Sequence, residues 1–207
     1  MFIDPHLHTC RYSSCSQLEP EELVSVANLL GLDGIIITEH NFVWSEEEIA
    51  ELRRKAPALV ILRGQEIRAY KDGFLEGDLL VFGFYEIVKE ELSSVEIIEL
   101  VHQAGGVVLA AHPFRSFLGI GDKVYSLKLD GIEVLNSNHT REDNIAAEKA
   151  RSVLNLPAMG GSDAHCVADV GNYLTFFENW IENEAQLVEE IKHGRCRPIS
   201  CEDMYKT

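Results

Sequence analysis

Five of the eight histidines in this 207-residue chain, His6, His8, His40, His112 and His165, stand at or just past the end of a β-forming run. His6 and His8 are two residues apart in one extended run, so both imidazoles project from the same face and can reach one ion. Glu66 ends a further run in Gly64-Gln65-Glu66, and Asp163 follows another in Ser162-Asp163-Ala164-His165. Taken singly, each has an ordinary explanation: a satisfied core histidine for His112, a helix cap for Asp163, an ion-pair partner for Glu66. Taken together, so many nitrogen and oxygen donors at one rim would be costly to bury without a cation between them. The chemistry they suit is binding of two or three divalent metals.

The elements that must position these residues read as repeated βα units. Strands are predicted over Phe2–His8, Gly34–Thr38, Leu59–Leu62 continuing towards Glu66, Leu79–Phe84, Val107–Ala111, Gly131–Val134 and Ala158–Gly160, a barrel-sized set. Leu23, Val26, Ala27 and Leu30, followed by Gly31, mark one helix, and Ile97, Leu100, Val101 and Ala104, followed by Gly105, another. Ser45 with Glu48 and Ser93 with Glu96 form capping-box signatures, and further helices are predicted over Arg141–Leu154 and Glu184–His193. An open doubly wound sheet would place a Gly-rich turn after its first strand, whereas here that strand ends in His-Leu-His-Thr. A barrel keeps its active site at the strand ends where the histidines lie.

Hydrophobic residues at 46% and charged residues at 25% describe an ordinary globular chain, expected as one domain over residues 1–207. The net charge of −16 disfavours long nucleic acid and anionic membranes as partners. No apolar run approaches the ~18 residues of a spanning helix, and Asp4 and His6 precede any secretory segment, so a cytoplasmic location is expected. Cys10, Cys15, Cys166, Cys196 and Cys201 are odd in number and lack a C-x-x-C pair, which points to free thiols.

The motifs His6-Leu7-His8-Thr9, Thr38-Glu39-His40, Ala111-His112-Pro113-Phe114 and Gly161-Ser162-Asp163-Ala164-His165, with Gly64-Gln65-Glu66, resemble those of the polymerase and histidinol phosphatase (PHP) family of metal-dependent phosphoesterases. The resemblance runs through nearly the whole chain and implies a distorted (β/α)7 TIM-like barrel. It implies that His6, His8, Glu66 and Asp163 hold one metal, that Glu66 bridges to a second with His112, and that His40 and His165 belong to a third. The metals of the family are variously zinc, manganese and iron, among which mixed imidazole and carboxylate ligands do not choose. Asp78 stands where many relatives have a histidine, which makes it a candidate ligand of the second metal. Trinuclear relatives place a histidine near Ser13-Ser14-Cys15, where this chain offers a hydroxyl or a thiol.

The function implied is hydrolysis of a small phosphorylated substrate, a phosphomonoester or nucleotide or short oligonucleotide, by metal-activated hydroxide. His40 or His165 would ligate or assist proton transfer, and Arg115, just past a strand end, would grip the phosphate. His139, Arg195 and Arg197 are weaker site candidates, and His102 and His193 are expected on helix surfaces. Two other readings stand beside this one: an amidohydrolase-type C–N or C–O hydrolase, which also begins with H-x-H and ends with an aspartate, and a non-catalytic metal-binding accessory domain. Oligomeric state is not written in these residues.

Overall fold

The strand runs are apolar on both faces, and strands of that kind must be covered on both. A computed structural model describes residues 1–204 and 206. In chain order the elements are β1 (Phe2–Leu7), α1 (Pro20–Leu29), β2 (Gly34–Ile37), α2 (Glu46–Lys55), β3 (Val60–Lys71), β4 (Phe74–Phe82), α3 (Ser94–Gln103), β5 (Val107–Ala110), β6 (Gly131–Asn136), α4 (Arg141–Leu154), β7 (Ala158–Gly161), β8 (Tyr173–Phe177), α5 (Glu184–Lys192), β9 (Cys196–Ser200) and α6 (Cys201–Met204). The strands form one sheet in the order β7-β6-β5-β4-β3-β2-β1-β8-β9, curled into a distorted barrel.

Alternation along the strands divides the core. Ile36, Leu62, Leu80, Phe82 and Leu109 pack with one another inside the barrel. Their neighbours Ile35, Ile37 and Ile61 pack outward against Leu23 and Ala27 of α1 and Ile49 and Leu52 of α2. Leu79, Val81, Val108 and Ala110 do the same against Ile97 and Val101 of α3 and Ala147 and Ala150 of α4. Both expected capping boxes form, at Ser45 and Ser93, and Thr140 with Asp143 makes a third at the start of α4.

All seven expected strands are present, but two features of their arrangement were not expected. No helix separates β3 from β4: they form a hairpin through Asp72 (φ 53°) and Gly73 (φ 77°), a left-handed pair suited to a two-residue turn. As a result β4 runs antiparallel to β3 and β5, and the simple βα repeat is broken there. The second feature is the added pair β8–β9, which lies outside the seven predicted strands; β9 carries Pro198, which an edge strand tolerates.

These added strands help to close the barrel. At its far end β1 pairs with β8 through Phe2↔Phe176 and Ile3↔Thr175. Near the histidines it meets the end of β7 instead, with Leu7 bridging Ala164, the His8 amide donating to the Ala164 carbonyl (3.0 Å) and the Asp163 amide to that of His6 (2.8 Å). Between the two zones the Thr175 hydroxyl accepts from the Gly160 amide (3.0 Å) and donates to its carbonyl (2.8 Å), so the backbone groups left by the split pairing are satisfied.

Glu76 ties the hairpin to α3. Its Oε2 accepts from the amide and hydroxyl of Ser94 (2.7 Å each) and its Oε1 from Lys123 Nζ (2.7 Å). Burial acts to raise its pKa, but these donors overcome it and hold the carboxyl at about 2. A depressed pKa stabilises the fold above the ordinary value and loses that contribution as pH falls towards 2. Glu76→Gln is expected to cost about 1 kcal/mol at pH 7 and markedly less at pH 3, read by urea unfolding at the two pH values.

Candidate metal centre

β1 must change face in mid-course to deliver its histidines. Ile3 lies in the interior cluster, whereas Leu7, four residues on, packs against the helices. The register with β2 slips between Asp4 and Leu7, and that slip turns His6 and His8 inward. On β3 the inward face runs Leu62, Gly64, Glu66, Arg68; a Cβ on Gly64 would stand 2.8 Å from the Phe82 ring. His112 and Asp163 follow β5 and β7 in left-handed backbone (φ 29° and 52°), a conformation costing of order 1–3 kcal/mol for such residues and typical of functional sites.

The Glu66 carboxylate is the centre of the arrangement. Its Oε1 is 2.7 Å from His112 Nε2 and 3.5 Å from His6 Nε2; its Oε2 is 2.7 Å from His40 Nδ1 and 3.4 Å from His8 Nε2. Asp163 Oδ1 lies 3.4 and 3.2 Å from the Nε2 atoms of His6 and His8 and 3.6 Å from His165 Nδ1. Ligand-capable atoms gather within 4.8 Å of one another in three groups: His6, His8 and Asp163; His6, Glu66 and His112; His8, His40 and His165. The rings of His8 and His40 stack at 4.2 Å, and His165 lies 4.5 Å from His8.

This donor set fits divalent cations. Nε2 of His6 and of His8, both in fully buried residues, makes no hydrogen bond, although carboxylate oxygens stand 3.2 to 3.5 Å away. Burial alone would raise the pKa of Glu66, yet His6, His112 and His40 hold it well below the carboxylate range. Burial would likewise lower that of His6, yet Glu133, Asp163 and Glu66 hold it well above the usual imidazole value. The buried carboxylates and imidazoles are thus held by mutual electrostatic attraction, and imidazole and carboxylate are ordinary ligands of divalent transition metals.

Several residues not named as ligands hold the ligands in place. Glu133, 1% exposed, takes His6 Nδ1 on Oε1 (2.9 Å) and, on Oε2, the His112 amide (2.7 Å) and Asn136 Nδ2 (3.0 Å). A carboxylate in the middle of the apolar run Gly-Ile-Glu-Val was the signal available in sequence. Glu39, also buried, accepts from the Thr9 amide and hydroxyl, the Ser13 hydroxyl and Trp44 Nε1, pinning the loop after β1. Ser13 is therefore committed to Glu39, while Ser14 and Cys15 line the cleft.

The cleft above the cluster has a volume of about 590 Å³ and is also lined by Arg68, Asp78, Arg115 and Asn138. Arg115 Nη1 and Asn138 Nδ2 both donate to Asp163 Oδ2 (3.0 and 2.9 Å), leaving Oδ1 to face the histidines. Asp78 belongs to none of the three donor groups; both of its oxygens are engaged by Arg68, at 2.8 and 3.0 Å. His139 bonds Asn144 at 2.6 Å, Arg195 pairs with Glu190, Arg197 lies over Phe176, and none of them lines the cleft. His102 and His193 sit on α3 and after α5, bonded to Asp130 and to the Glu189 carbonyl.

The imidazoles and carboxylates thus form a metal-binding donor set over the strand ends, where barrels of this kind keep their active sites. Residues 141–196 match the family described as PHP-associated. An uncharacterized protein of Methanocaldococcus jannaschii is 30% identical over 162 residues, covering 72% of this chain and 91% of that one. A two-domain protein of Bacteroides vulgatus, described as containing a predicted PHP-like metal-dependent phosphoesterase, shares the fold with a TM-score of 0.75 at 18% identity, over 97% of this chain and 64% of its own. An amidohydrolase from Chromobacterium violaceum, with bound sulfate and no metal, superposes with a TM-score of 0.67 at 15% identity, over 96% and 98% of the two chains. The chain belongs to the PHP family.

Because Glu133 orients His6 and fixes the backbone of His112 at once, Glu133→Gln sets an amide against two donors. Metal affinity is expected to fall about 10- to 100-fold, as for other outer partners of metal ligands, with the circular dichroism spectrum unchanged. Competition with a chromogenic chelator reads the first and the spectrum the second.

Proposed function

We propose that the chain is a phosphoesterase acting on a small phosphorylated substrate, with at least two divalent ions, zinc, manganese or iron, held around Glu66. The observation that carries this reading is the pair of buried, unbonded Nε2 atoms of His6 and His8, facing Glu66 and Asp163 beneath a cleft that also presents a guanidinium. In the proposed assignment His6, His8, Glu66 and Asp163 would hold one ion, and Glu66 with His112 would meet the second. When bound, such ions lower the pKa of water, polarise phosphoryl oxygens and stabilise a leaving oxygen.

The chain's own residues do the rest. Arg115, held by Asp163 and 30% exposed, turns its remaining donors to a phosphate oxygen. Its position also restrains Asp163, so phosphate binding and ligand orientation are coupled. His40 and His165, each 27% exposed at the rim, complete a third group with His8 and can pass a proton to the leaving oxygen. The acidic surface disfavours a long polyanion, and a substrate small enough for the cleft fits the volume. Five free cysteines suit a reducing, cytoplasmic setting, and among the described residues no helix is long and apolar enough to cross a membrane.

The likeness to the Chromobacterium amidohydrolase favours a second reading, C–N hydrolysis on the same barrel. The protein loaded with manganese or zinc is expected to release p-nitrophenol from p-nitrophenyl phosphate or its bis ester, to leave cyclic amides intact, and to lose both activity and metal on Asp163→Ala. Amide cleavage without phosphate release, or an Asp163→Ala protein with full metal and full activity, contradicts the reading.

A further inference from the structure

Arg68 belongs to no motif, yet its position is defined as closely as that of any ligand. It is the direct cross-strand partner of Asp78 in the β3–β4 hairpin and lies two residues beyond Glu66, on the same inward face. Its Nε and Nη2 donate to the two oxygens of Asp78 at 2.8 and 3.0 Å, a fork-on-fork pair. Asp78 is 1% exposed and Arg68 29% exposed, so the carboxylate is buried while the guanidinium opens into the cleft.

We propose that Arg68, held in place by Asp78, is a phosphate-gripping residue of this cleft; the proposal rests on the phosphoesterase reading above. Asp78 is then the positioning carboxylate of a substrate-binding arginine, and not a metal ligand. Nη1 and the second hydrogen of Nη2 are not used by Asp78 and remain for an oxyanion. The same design recurs at Arg115, which is oriented by the buried Asp163 and lines the same cleft. In a chain of net charge −16, two carboxylate-held guanidiniums over a carboxylate-bearing cluster offset the charge a phosphate brings to the site. A purely structural ion pair would gain nothing from leaving its arginine open to the cleft.

The test uses the metal-loaded protein, inorganic phosphate as the calorimetric probe and p-nitrophenyl phosphate as the substrate. In Arg68→Met, the phosphate dissociation constant and KM are expected to rise about tenfold, with kcat changed less and metal stoichiometry equal to wild type. Asp78→Asn shifts both in the same direction by less and keeps its metal, and the double variant is no worse than Arg68→Met. Arg68→Lys, which keeps the charge without the fork, falls between and supplies the reading if the methionine variant does not fold. Loss of an ion in Asp78→Asn would make Asp78 a ligand and overturn the proposal, as would wild-type phosphate binding in Arg68→Met. A wild-type protein that neither binds phosphate nor cleaves the ester overturns the phosphoesterase reading, and this proposal with it.

Discussion

The structure depends on keeping two carboxylates, Glu66 and Asp163, in charged form at 1% and 2% exposure. Removing an ionised carboxylate from water costs several kcal/mol even after relaxation, and only close opposite charge and hydrogen bonding return that cost. Five imidazoles surround the pair, and as metal ligands they are neutral and supply no charge of their own. Divalent ions supply it, and the unbonded nitrogens of His6 and His8 lie where such ions would take their ligands.

That requirement explains irregularities elsewhere. The register slip in β1 turns two histidines towards one centre, and left-handed backbone at His112 and Asp163 turns their side chains back over the barrel. Each departure has a local support: Glu133 accepts the His112 amide, and the His6 carbonyl accepts that of Asp163. Gly161 leaves the space the arrangement needs, since a Cβ there would stand 2.6 Å from that of His6 and 2.9 Å from Glu133 Oε1. The split pairing of β1, with β8 at one end and β7 at the other, brings Asp163 against His6 and His8.

Much of this was legible in the residues. Periodicity and capping located α1, α2 and α3, and placed α4 at its observed bounds and α5 within one residue, because those signals are local. The histidines, Glu66 and Asp163 could be grouped because each ends a β-forming run, and the structure brings them together. The β3–β4 hairpin was missed although Asp72-Gly73 is a two-residue turn signal, because its outer half is exposed and mixes Tyr70, Phe74 and Leu75 with charged residues without regular alternation. Nor were β8 and β9, whose pairing is long-range. Glu133 and Arg68 escaped for a different reason: their importance lies in what they touch across strands, and even the carboxylate set in an apolar run at Glu133 does not name its partners.

The central claim is that Glu66 stands between bound cations. It is tested most directly by anomalous diffraction from crystals of protein never exposed to chelator, with data across the manganese, iron and zinc absorption edges. The account predicts at least two anomalous peaks, one next to each Glu66 oxygen, with His6, His8, His112 and Asp163 completing their shells. No peak in the cluster, or a single peak that does not touch Glu66, would contradict it.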